Sequence, residues 1–409
     1  MAEELAPKPA HVPDELVRDV DIYDPAGWRE VGDPLIVWKR IQDSHPPIFW
    51  TPRQGGHWIV TRFDDIQHVA ATFADFSSRE NFIPRGVTVP QMPMNLDPPE
   101  HTTIRRLLAP AVMPLRLRAL QAQVRQWTIE AVEALRPKGE CEFIVEFSSA
   151  IPVKAFLAMM GLPIDDHALL NQLGADITKI NEPEVYRVAK AQLTDYIMGW
   201  IEAFRRNPGE GIISDAIHNE IDGRRLTDEE VENLCVMLLA AGIDTVKSAI
   251  VFMANLLAGS SAHRQQLLDD PSLIPNAVEE TLRRYGSSNL ARVVRHDLDY
   301  KDVTFLAGDM ICLPYPLAGL DSAENDDPLA VDFTREKVRH LNFGAGPHLC
   351  IGQALARNEI TTFTEEWLKR IPEFRIKPGT KMKAMTGLSN IPLELYLEWD
   401  PATTKAIAA

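Results

Sequence analysis

The sequence predicts a mainly α-helical protein with small β-sheets. Apolar residues recur at helical spacing through residues 64–76, 116–205 and 227–257, whereas strand-like alternation is confined to short segments. The chain has 409 residues, of which 45% are hydrophobic and 24% charged, an ordinary composition for a globular protein. No repeat or low-complexity stretch interrupts it. We expect one domain over residues 1–409, with a loose lead-in rich in Pro, Asp and Glu over residues 1–30.

Charge and cysteine usage exclude several classes of protein. The 42 basic and 58 acidic residues give a net charge of −16, which argues against nucleic acid as a partner. Cys141, Cys235, Cys312 and Cys350 are scattered without CxxC spacing, so neither a zinc site nor a disulfide framework is indicated. The N-terminal segment lacks an apolar run long enough for a signal peptide or a membrane anchor. We therefore expect a cytoplasmic protein that does not bind a membrane.

The first hundred residues combine a hairpin, a helix and a proline-rich loop. Aromatic and β-branched residues flank a glycine turn in residues 48–60, which predicts a β-hairpin. Residues 64–76 return to helical spacing. Five prolines then interrupt residues 81–99, so this apolar segment is either a surface connection or a lid over a pocket. A helix is predicted from Asp97, because prolines and acidic residues suit a first turn.

The longest predicted helix contains an unusual turn. Thr227 and Glu230 form a capping-box pattern at its start, and its length of about 30 residues corresponds to roughly 45 Å. In the middle, Gly242, Asp244 and Thr245 are three unfavourable helix-interior residues in one turn. We expect a local opening of the helix there, such as a π-bulge. The alternative is a Thr245 hydroxyl that bonds back to a carbonyl in an ordinary kink.

One cysteine stands in a glycine-rich stretch. The stretch from His340 to Gly352 reads HLNFGAGPHLCIG, and Cys350 directly precedes an amphipathic run, which places the sulfur at a helix N-terminus. The helix dipole and free N–H groups there favour a thiolate and should lower the pKa of the thiol. The glycines let the backbone approach a flat or bulky ligand. A lone buried cysteine is more often a small core residue, so the surrounding pattern decides between the two interpretations.

That pattern is specific. Phe343, Gly346, Cys350 and Gly352 match FxxGxxxCxG and resemble the haem-binding loop of the cytochrome P450 family. The resemblance implies the cytochrome P450 fold, a triangular prism with haem b between a long central helix and the helix after the cysteine. It implies that Cys350 ligates the haem iron and that Phe343 and Gly352 help to bind the cofactor. The implied activity is that of a haem-thiolate monooxygenase, an oxidoreductase with O2 as co-substrate, in which the thiolate favours O–O cleavage.

The unusual helical turn fits the same family. Ala240–Thr245 resembles the AGxDT motif, whose acid–alcohol pair, here Asp244 and Thr245, delivers protons to iron-bound dioxygen. A buried carboxylate needs a partner, because an isolated ion at low dielectric is unfavourable. Alignment with the camphor-hydroxylating branch of the family places Lys179 where a basic partner stands. We predict an Asp244–Lys179 pair that opens during turnover.

Four cationic or imidazole side chains match positions that hold haem propionates. Residues 97–106 resemble the family's C helix, DPPEHTxxRR, which implies that His101 and Arg105 bind a propionate. Arg105 lies one turn after His101 on the same helix face and can hold a carboxylate bidentately, although a solvated face is the alternative. Arg292, in a strand-like segment, and His348, two residues before the cysteine, match two further propionate positions.

A third signature has a structural role. Glu280 and Arg283 stand at i and i+3 on a helix predicted from Pro275 to Gly286, so they share a face and can pair. The ExxR pattern is very common and carries little specificity by itself. Here it resembles the family's K helix, and Arg335 matches the third member of the Glu-Arg-Arg cluster that braces the cysteine loop.

The resemblance to camphor hydroxylases extends over nearly the whole chain, with one departure that concerns substrate. Residues 81–95 contain no tyrosine, whereas camphor hydroxylases use one there to bind the ketone, and Val89 occupies the nearest position. The predicted pocket is apolar and adaptable; its residues are Phe82, Val89, Met92, Met237, Ala240, Ala241, Ser288, Leu388 and Ser389. We expect a terpenoid or norisoprenoid larger than camphor, such as an ionone-like ketone, with camphor itself as the alternative substrate.

We expect electrons to come from a separate protein, because 409 residues leave no room for a fused reductase. The resemblance implies a [2Fe–2S] ferredoxin and its NAD(P)H-dependent reductase. Arg105, Arg106, Lys337 and Arg339 flank the cysteine loop and can form a basic docking face despite the negative net charge.

Two other functions are possible for a protein with this cysteine loop. A peroxide-driven peroxygenase of fatty acids is disfavoured, because those members lack the acid–alcohol pair that Asp244 and Thr245 resemble. A haem-binding sensor or carrier without turnover is compatible with the cysteine loop. Such a protein would have no need for a proton-delivering turn, and consumption of NADH with a reconstituted redox chain would distinguish the two.

Overall fold

A computed structural model describes residues 5–25, 28, 32–87, 91–177 and 183–407 of the chain. Within these ranges the protein is mainly helical, and the strands form small sheets. The predicted fold class is therefore confirmed.

The α-helices of the described ranges account for most of the structure. In chain order they are α1 (Pro34–Ser44), α2 (Phe63–Ala71), α3 (Glu100–Leu108), α4 (Pro114–Leu135), α5 (Ala150–Met160), α6 (His167–Ile177), α7 (Pro183–Arg206), α8 (Ile212–His218), α9 (Asp228–Gly259), α10 (Ser261–Asp269), α11 (Ile274–Arg284), α12 (Tyr315–Gly319) and α13 (Gln353–Arg370).

The strands are short and are distributed along the chain between the helices. They are β1 (Ile48–Thr51), β2 (His57–Val60), β3 (Phe76–Ser77), β4 (Glu140–Glu142), β5 (Asn289–Val294), β6 (Leu298–Tyr300), β7 (Val303–Phe305), β8 (Met310–Pro314), β9 (Arg375–Ile376), β10 (Lys383–Met385), β11 (Ile391–Glu394) and β12 (Tyr396–Glu398). The largest sheet has the order β1-β2-β8-β5-β3, and the smaller ones are β4-β12-β9, β6-β7 and β10-β11. The predicted hairpin is confirmed as β1–β2, in which Trp50 faces Trp58.

Helix α9 crosses the molecule and joins two apolar clusters. Its first half, through residues 231–239, packs with side chains of α5, α7 and α8, whereas residues 250–257 pack with α4, α11 and α13. The predicted capping box is present, with the Glu230 N–H donating to Thr227 Oγ1 at 3.2 Å and the Thr227 N–H donating to Glu230 Oε2 at 2.8 Å. The helix is long and apolar enough to cross a membrane, but 56% of its most apolar window is buried inside the protein, as a core helix requires.

The predicted opening of this helix is wrong. Helix α9 is continuous from Asp228 to Gly259, and no π-helical turn interrupts it around Asp244. The Thr245 hydroxyl donates to the Ala241 carbonyl at 2.8 Å, which is the back-bonding alternative. Packing on both sides of the turn therefore outweighs the poor helix propensity of its residues.

Two other predictions need correction at their boundaries. The helix predicted over residues 64–76 ends at Ala71, and the chain turns into β3. The helix predicted from Asp97 begins at Glu100, because the Asp97 carboxylate instead accepts hydrogen bonds from Ser77 Oγ at 2.5 Å and the Ser78 N–H at 2.8 Å.

The N-terminal lead-in is packed rather than loose over its described residues. Val12, Val20 and Ile22 are buried against the large sheet, and Val17 pairs with Trp50 in a parallel bridge. The segment therefore forms part of the sheet's apolar cover, although proline and acidic content had suggested weak attachment.

Candidate active site

The loop before α13 holds Cys350 at a fixed position. The Cys350 N–H donates to the Phe343 carbonyl at 2.8 Å, which closes the loop. Gly346 has φ +65°, and a Cβ there would lie 2.5 Å from the Ala71 Cα, so the close approach of the loop to α2 requires glycine. The Arg357 guanidinium lies 4.4 Å from the centre of the Phe343 ring.

The electrostatics at the sulfur differ from the prediction. Cys350 retains contact with solvent, yet protein surrounds its sulfur closely enough that burial raises the pKa of the thiol above its ordinary value. The N–H groups of Gly352 and Gln353 and the cations of Arg105 and Arg357 act in the opposite direction, as the helix position predicted. The prediction that the helix position lowers the pKa of the Cys350 thiol is therefore wrong. Coordination to a metal deprotonates a thiol outright, so an iron bound by Cys350 would offset the effect of burial.

Four side chains that were predicted separately lie together beside the cysteine loop. The ring centres of His101 and His348 are 4.2 Å apart. His348 Nε2 lies 3.0 Å from Ser78 Oγ, and Arg105 donates to the Leu349 carbonyl. Arg292 is buried in β5 and donates to the Ala291 carbonyl at 2.7 Å.

Most of the charged groups around this cluster are cationic, although the Asp97 carboxylate raises the pKa of His101. Burial lowers the pKa of His101 to about 4 and that of His348 to about 2, and the nearby cations of Arg105 and Arg292 lower both further. Neither arginine forms an ion pair with a carboxylate in the described part of the chain, and the buried Nδ1 of His101 has no hydrogen-bond partner there. Groups arranged in this way fit the two carboxylates of a haem.

The three residues of the predicted brace also meet. Glu280 and Arg283 are fully buried, and two hydrogen bonds of 2.7 Å join the carboxylate to the guanidinium. Arg335 Nε lies 3.2 Å from Glu280 Oε2. Arg283 also donates to the carbonyls of Gly319 and Pro328 at 2.8 and 2.7 Å, and so fixes the segment that leads to the cysteine loop.

The acid–alcohol pair lies on α9, with an unexpected neighbour. Asp244 Oδ1 accepts a hydrogen bond from Lys247 Nζ, one turn further along the same helix. The Asp244 carbonyl accepts from Ser248 Oγ at 2.7 Å. Lys179 lies outside the described residues, so its predicted pairing with Asp244 stays a prediction.

The predicted pocket residues fall into two described groups. Met92 packs against the apolar cluster that contains Met237, whereas Ser288 bridges Ser389 in a strand-like contact. The Leu388 carbonyl, next to Ser389, accepts from the Asn289 N–H at 2.8 Å. Phe82 is partly buried and Ala241 is exposed. Val89 and the side chain of Ala240 lie outside what the structure describes.

Two residues near the predicted site were not identified from the sequence, Lys247 and Tyr23. The Lys247 contact could have been found from the Asp-x-x-Lys spacing, since i and i+3 share a helix face. Tyr23 gave no such signal, because its partners are distant in sequence. Its hydroxyl donates to the Ile83 carbonyl, and a Cβ at Gly387 would lie 2.7 Å from its ring. Tyr23 thus joins the proline-rich loop to the turn before Leu388.

A thiol just before the first turn of a helix, beside four groups suited to carboxylates, is the arrangement expected of a haem-thiolate protein. A family model described as "Cytochrome P450" matches residues 255–398. The "Probable cytochrome P450 127A1" of Sinorhizobium fredii is 33% identical over 398 residues, which are 94% of this chain and 96% of that protein. This chain belongs to the cytochrome P450 family.

Solved structures agree with this assignment. The crystal structure of CYP101J2 has a TM-score of 0.89 and 36% identity, and covers 97% of this chain and 100% of its own. That of CYP101C1 has a TM-score of 0.88 and 32% identity, and covers 96% of this chain and 100% of its own. Both belong to the camphor-hydroxylase branch that the sequence motifs indicated. The protein is a monooxygenase that uses haem b with O2 as co-substrate.

Replacing the cysteine tests its predicted role as iron ligand. We expect Cys350→Ser to abolish the red-shifted Soret band of the reduced carbon monoxide complex, because a serine hydroxyl does not provide a thiolate. Cys312→Ala, a change at a buried cysteine in β8, should keep the band. Persistence of the thiolate band in Cys350→Ser would contradict the assignment.

Replacing the buried carboxylate tests the brace. We expect Glu280→Gln to reduce the free energy of unfolding by about 3–5 kcal/mol, because it leaves the buried charge of Arg283 uncompensated. Urea denaturation of the haem-loaded protein measures the change. The matched control is Glu184→Gln, which removes an exposed i,i+3 pair with Arg187 and should leave the midpoint unchanged. Equal midpoints for both variants would refute a bracing role.

Proposed function

We propose that this monooxygenase hydroxylates a small apolar terpenoid or norisoprenoid, such as an ionone-like ketone larger than camphor. The observation that carries this proposal is the composition of residues 81–95, which contain no tyrosine for a substrate carbonyl and six apolar side chains of medium or large size: Phe82, Ile83, Val87, Val89, Met92 and Met94. A ligand held there would be selected by shape rather than by a tyrosine hydrogen bond.

The described pocket residues support an apolar ligand. Met92 and Met237 belong to one apolar cluster, and flexible thioether side chains adapt to ligand shape. Ser288 and Ser389 pair through an isolated antiparallel β-bridge. Both side chains are small, so they would take up little of the pocket's volume. Tyr23 joins the proline-rich loop to the segment that carries Leu388, so two predicted walls of the pocket are coupled.

The roles of the remaining site residues follow from their chemistry. Cys350 would ligate the haem iron, while Phe343 and Gly352 frame the loop. His101, Arg105, Arg292 and His348 would hold the propionates, which supply the carboxylates that this cluster lacks. When bound, the haem supplies the oxidising chemistry, and the protein supplies ligand, protons and a dry cavity.

The proton path uses the turn on α9. Asp244 would exchange protons with solvent, and the Thr245 hydroxyl would pass them toward the reacting centre. Because this hydroxyl donates its own hydrogen to the Ala241 carbonyl, its oxygen remains able to accept one from a donor. Glu280, Arg283 and Arg335 would act only through the structure that they hold.

A ligand panel tests the substrate proposal. We expect ionone-like ketones to shift the ferric haem from low to high spin at lower concentration than camphor, because a ligand that fills the apolar pocket displaces iron-bound water. The Soret band reports the shift. Tight camphor binding with a full spin shift would instead favour a camphor hydroxylase, and product formation from fatty acids with peroxide alone would favour a peroxygenase.

We also propose that the electron donor is a [2Fe–2S] ferredoxin served by an NAD(P)H-dependent reductase. The predicted basic face is weaker than the sequence indicated, since Arg106 pairs with Asp222 at 3.3 Å and Arg339 with Glu324 at 3.0 Å. Lys337 is exposed and forms no ion pair with another described residue. Around these charges, Leu349 exposes 40% of its surface beside the cysteine.

Salt dependence distinguishes a charged docking face from an apolar one. We expect the rate of the first electron transfer from a [2Fe–2S] ferredoxin to fall about tenfold from low to high ionic strength, the lower limit for electrostatic steering. Lys337→Glu should slow the transfer at low salt, whereas Lys190→Glu on α7 makes the same charge change and should not. A transfer rate that is independent of salt would count against this docking face.

The remaining predictions concern location and domain organisation. We propose that the protein works in the cytoplasm, where its buried helix α9 needs no membrane, and that residues 1–409 form a single P450 domain. The described lead-in supports one domain, because it packs on the same sheet as β1 and β5.

A further inference from the structure

Tyr23 lies where the N-terminal lead-in meets two walls of the predicted pocket. Its hydroxyl donates to the Ile83 carbonyl in the proline-rich loop. A Cβ at Gly387 would lie 2.7 Å from its ring, so the backbone of the turn before Leu388 packs directly against the tyrosine. Burial raises the pKa of the Tyr23 hydroxyl to about 12, and the phenol therefore stays protonated and able to donate. One side chain thus contacts the loop and the turn together.

The segment that carries Tyr23 is fixed on the large sheet. Thr51 Oγ1, in β1, donates to the Val20 carbonyl at 2.9 Å. The Asp21 carboxylate accepts from the Tyr23 N–H at 2.8 Å and from Gln54 Nε2, in the turn between β1 and β2, at 2.9 Å. Because these contacts restrain the backbone at Tyr23, its hydroxyl can hold the loop rather than follow it.

Strand β5 supplies a second attachment for each of the two walls. The Ala291 N–H donates to the Asn81 carbonyl at 2.8 Å, at the start of the proline-rich loop. The Asn289 N–H donates to the Leu388 carbonyl at 2.8 Å. The loop and the turn are therefore each held by β5 and by Tyr23.

Phe82, a predicted pocket residue, is the side chain that these contacts position. The carbonyls on both sides of it are anchored, that of Asn81 by β5 and that of Ile83 by Tyr23. The Ile83 side chain is itself buried. Without the Tyr23 hydroxyl, the loop would lose its attachment directly after Phe82.

We propose that Tyr23 is a positioning residue for substrate, which holds Phe82 and the segment at Leu388 in the arrangement that binds the ligand. This role rests on the proposed function, because the two walls belong to the proposed apolar pocket. A loop that is ordered before binding costs no ordering free energy when the ligand enters, whereas a loosened loop must be ordered at that step. Tyr23 thus acts on how long a ligand is retained and leaves the chemistry at Cys350 untouched.

Amide hydrogen exchange in the haem-loaded, ligand-free protein tests the attachment itself. Tyr23→Phe removes the hydroxyl and keeps the ring that packs on Gly387. We expect the Ala291 N–H to exchange about two- to tenfold faster in this variant, because one lost hydrogen bond makes local opening more frequent by about that factor. Mass spectrometry with fragmentation that localises deuterium measures the rate.

Tyr300→Phe is the matched control for this experiment. Its hydroxyl also donates to a protein acceptor, Asp65 Oδ1 at 2.9 Å, and its loss should leave the exchange of the Ala291 N–H unchanged. Equal exchange of that N–H in the wild type and in Tyr23→Phe would overturn the proposal.

Ligand binding tests the consequence for the pocket. The probe is β-ionone, and the ferric Soret band reports its spin shift. We expect Tyr23→Phe to raise the dissociation constant about two- to tenfold, mainly through a faster off-rate, and to raise KM while kcat stays unchanged. Cyanide, which binds ferric iron without filling the pocket, should bind both proteins equally. An unchanged dissociation constant for β-ionone in a variant whose Ala291 N–H exchanges faster would refute the positioning role.

The two experiments distinguish this role from the proposed substrate class. If the wild type binds camphor more tightly than β-ionone, the substrate proposal fails, whereas amide exchange needs no ligand and still tests the attachment. The off-rate is then measured with camphor, and the same increase is expected in Tyr23→Phe. The reduced carbon monoxide complex should keep its Soret band in both variants, since neither alters the cysteine loop.

Discussion

The buried ion pair between Glu280 and Arg283 is the constraint on which the site depends. Both side chains are fully inaccessible, so their charges are compensated only by each other, by Arg335 and by backbone groups. Arg283 donates to carbonyls near α12 and to the Ala330 carbonyl at 2.8 Å, while Glu280 accepts from the Asp332 N–H at 3.0 Å. A buried pair of this kind adds little net stability, but its charges can be satisfied in only one arrangement of the chain. It therefore fixes the segment that precedes the cysteine loop.

Local sequence spacing was sufficient to predict features whose residues are close together in the chain. The capping box at Thr227, the β1–β2 hairpin and the Glu280–Arg283 pair each involve residues within about a dozen positions, so period and turn chemistry were sufficient. The cysteine loop and the cluster of His101, Arg105, Arg292 and His348 were predictable only from a family resemblance, because His101 and Arg292 come from separate elements. Composition gave no sign that they would meet.

The incorrect predictions have a common physical cause. The opening of α9, the net lowering of the Cys350 pKa and the loose lead-in were inferred from local preference, and tertiary packing overrode each one. Helix α9 stays regular because apolar clusters hold it on both sides of Asp244. Burial raises the pKa of Cys350 despite two N–H groups and two cations. The lead-in packs because the large sheet offers an apolar surface to Val12 and Val20.

The position of the acid–alcohol turn between two apolar clusters also limits where its counter-ion can lie. The apolar side chains of α9 before and after the turn are buried in the two clusters. A cationic partner of Asp244 must therefore come from a polar position of α9 itself or from a neighbouring element. Lys247 occupies such a position, one turn from Asp244. Cys350 and the cluster of His101, Arg105, Arg292 and His348 are held in place by the packed elements around them.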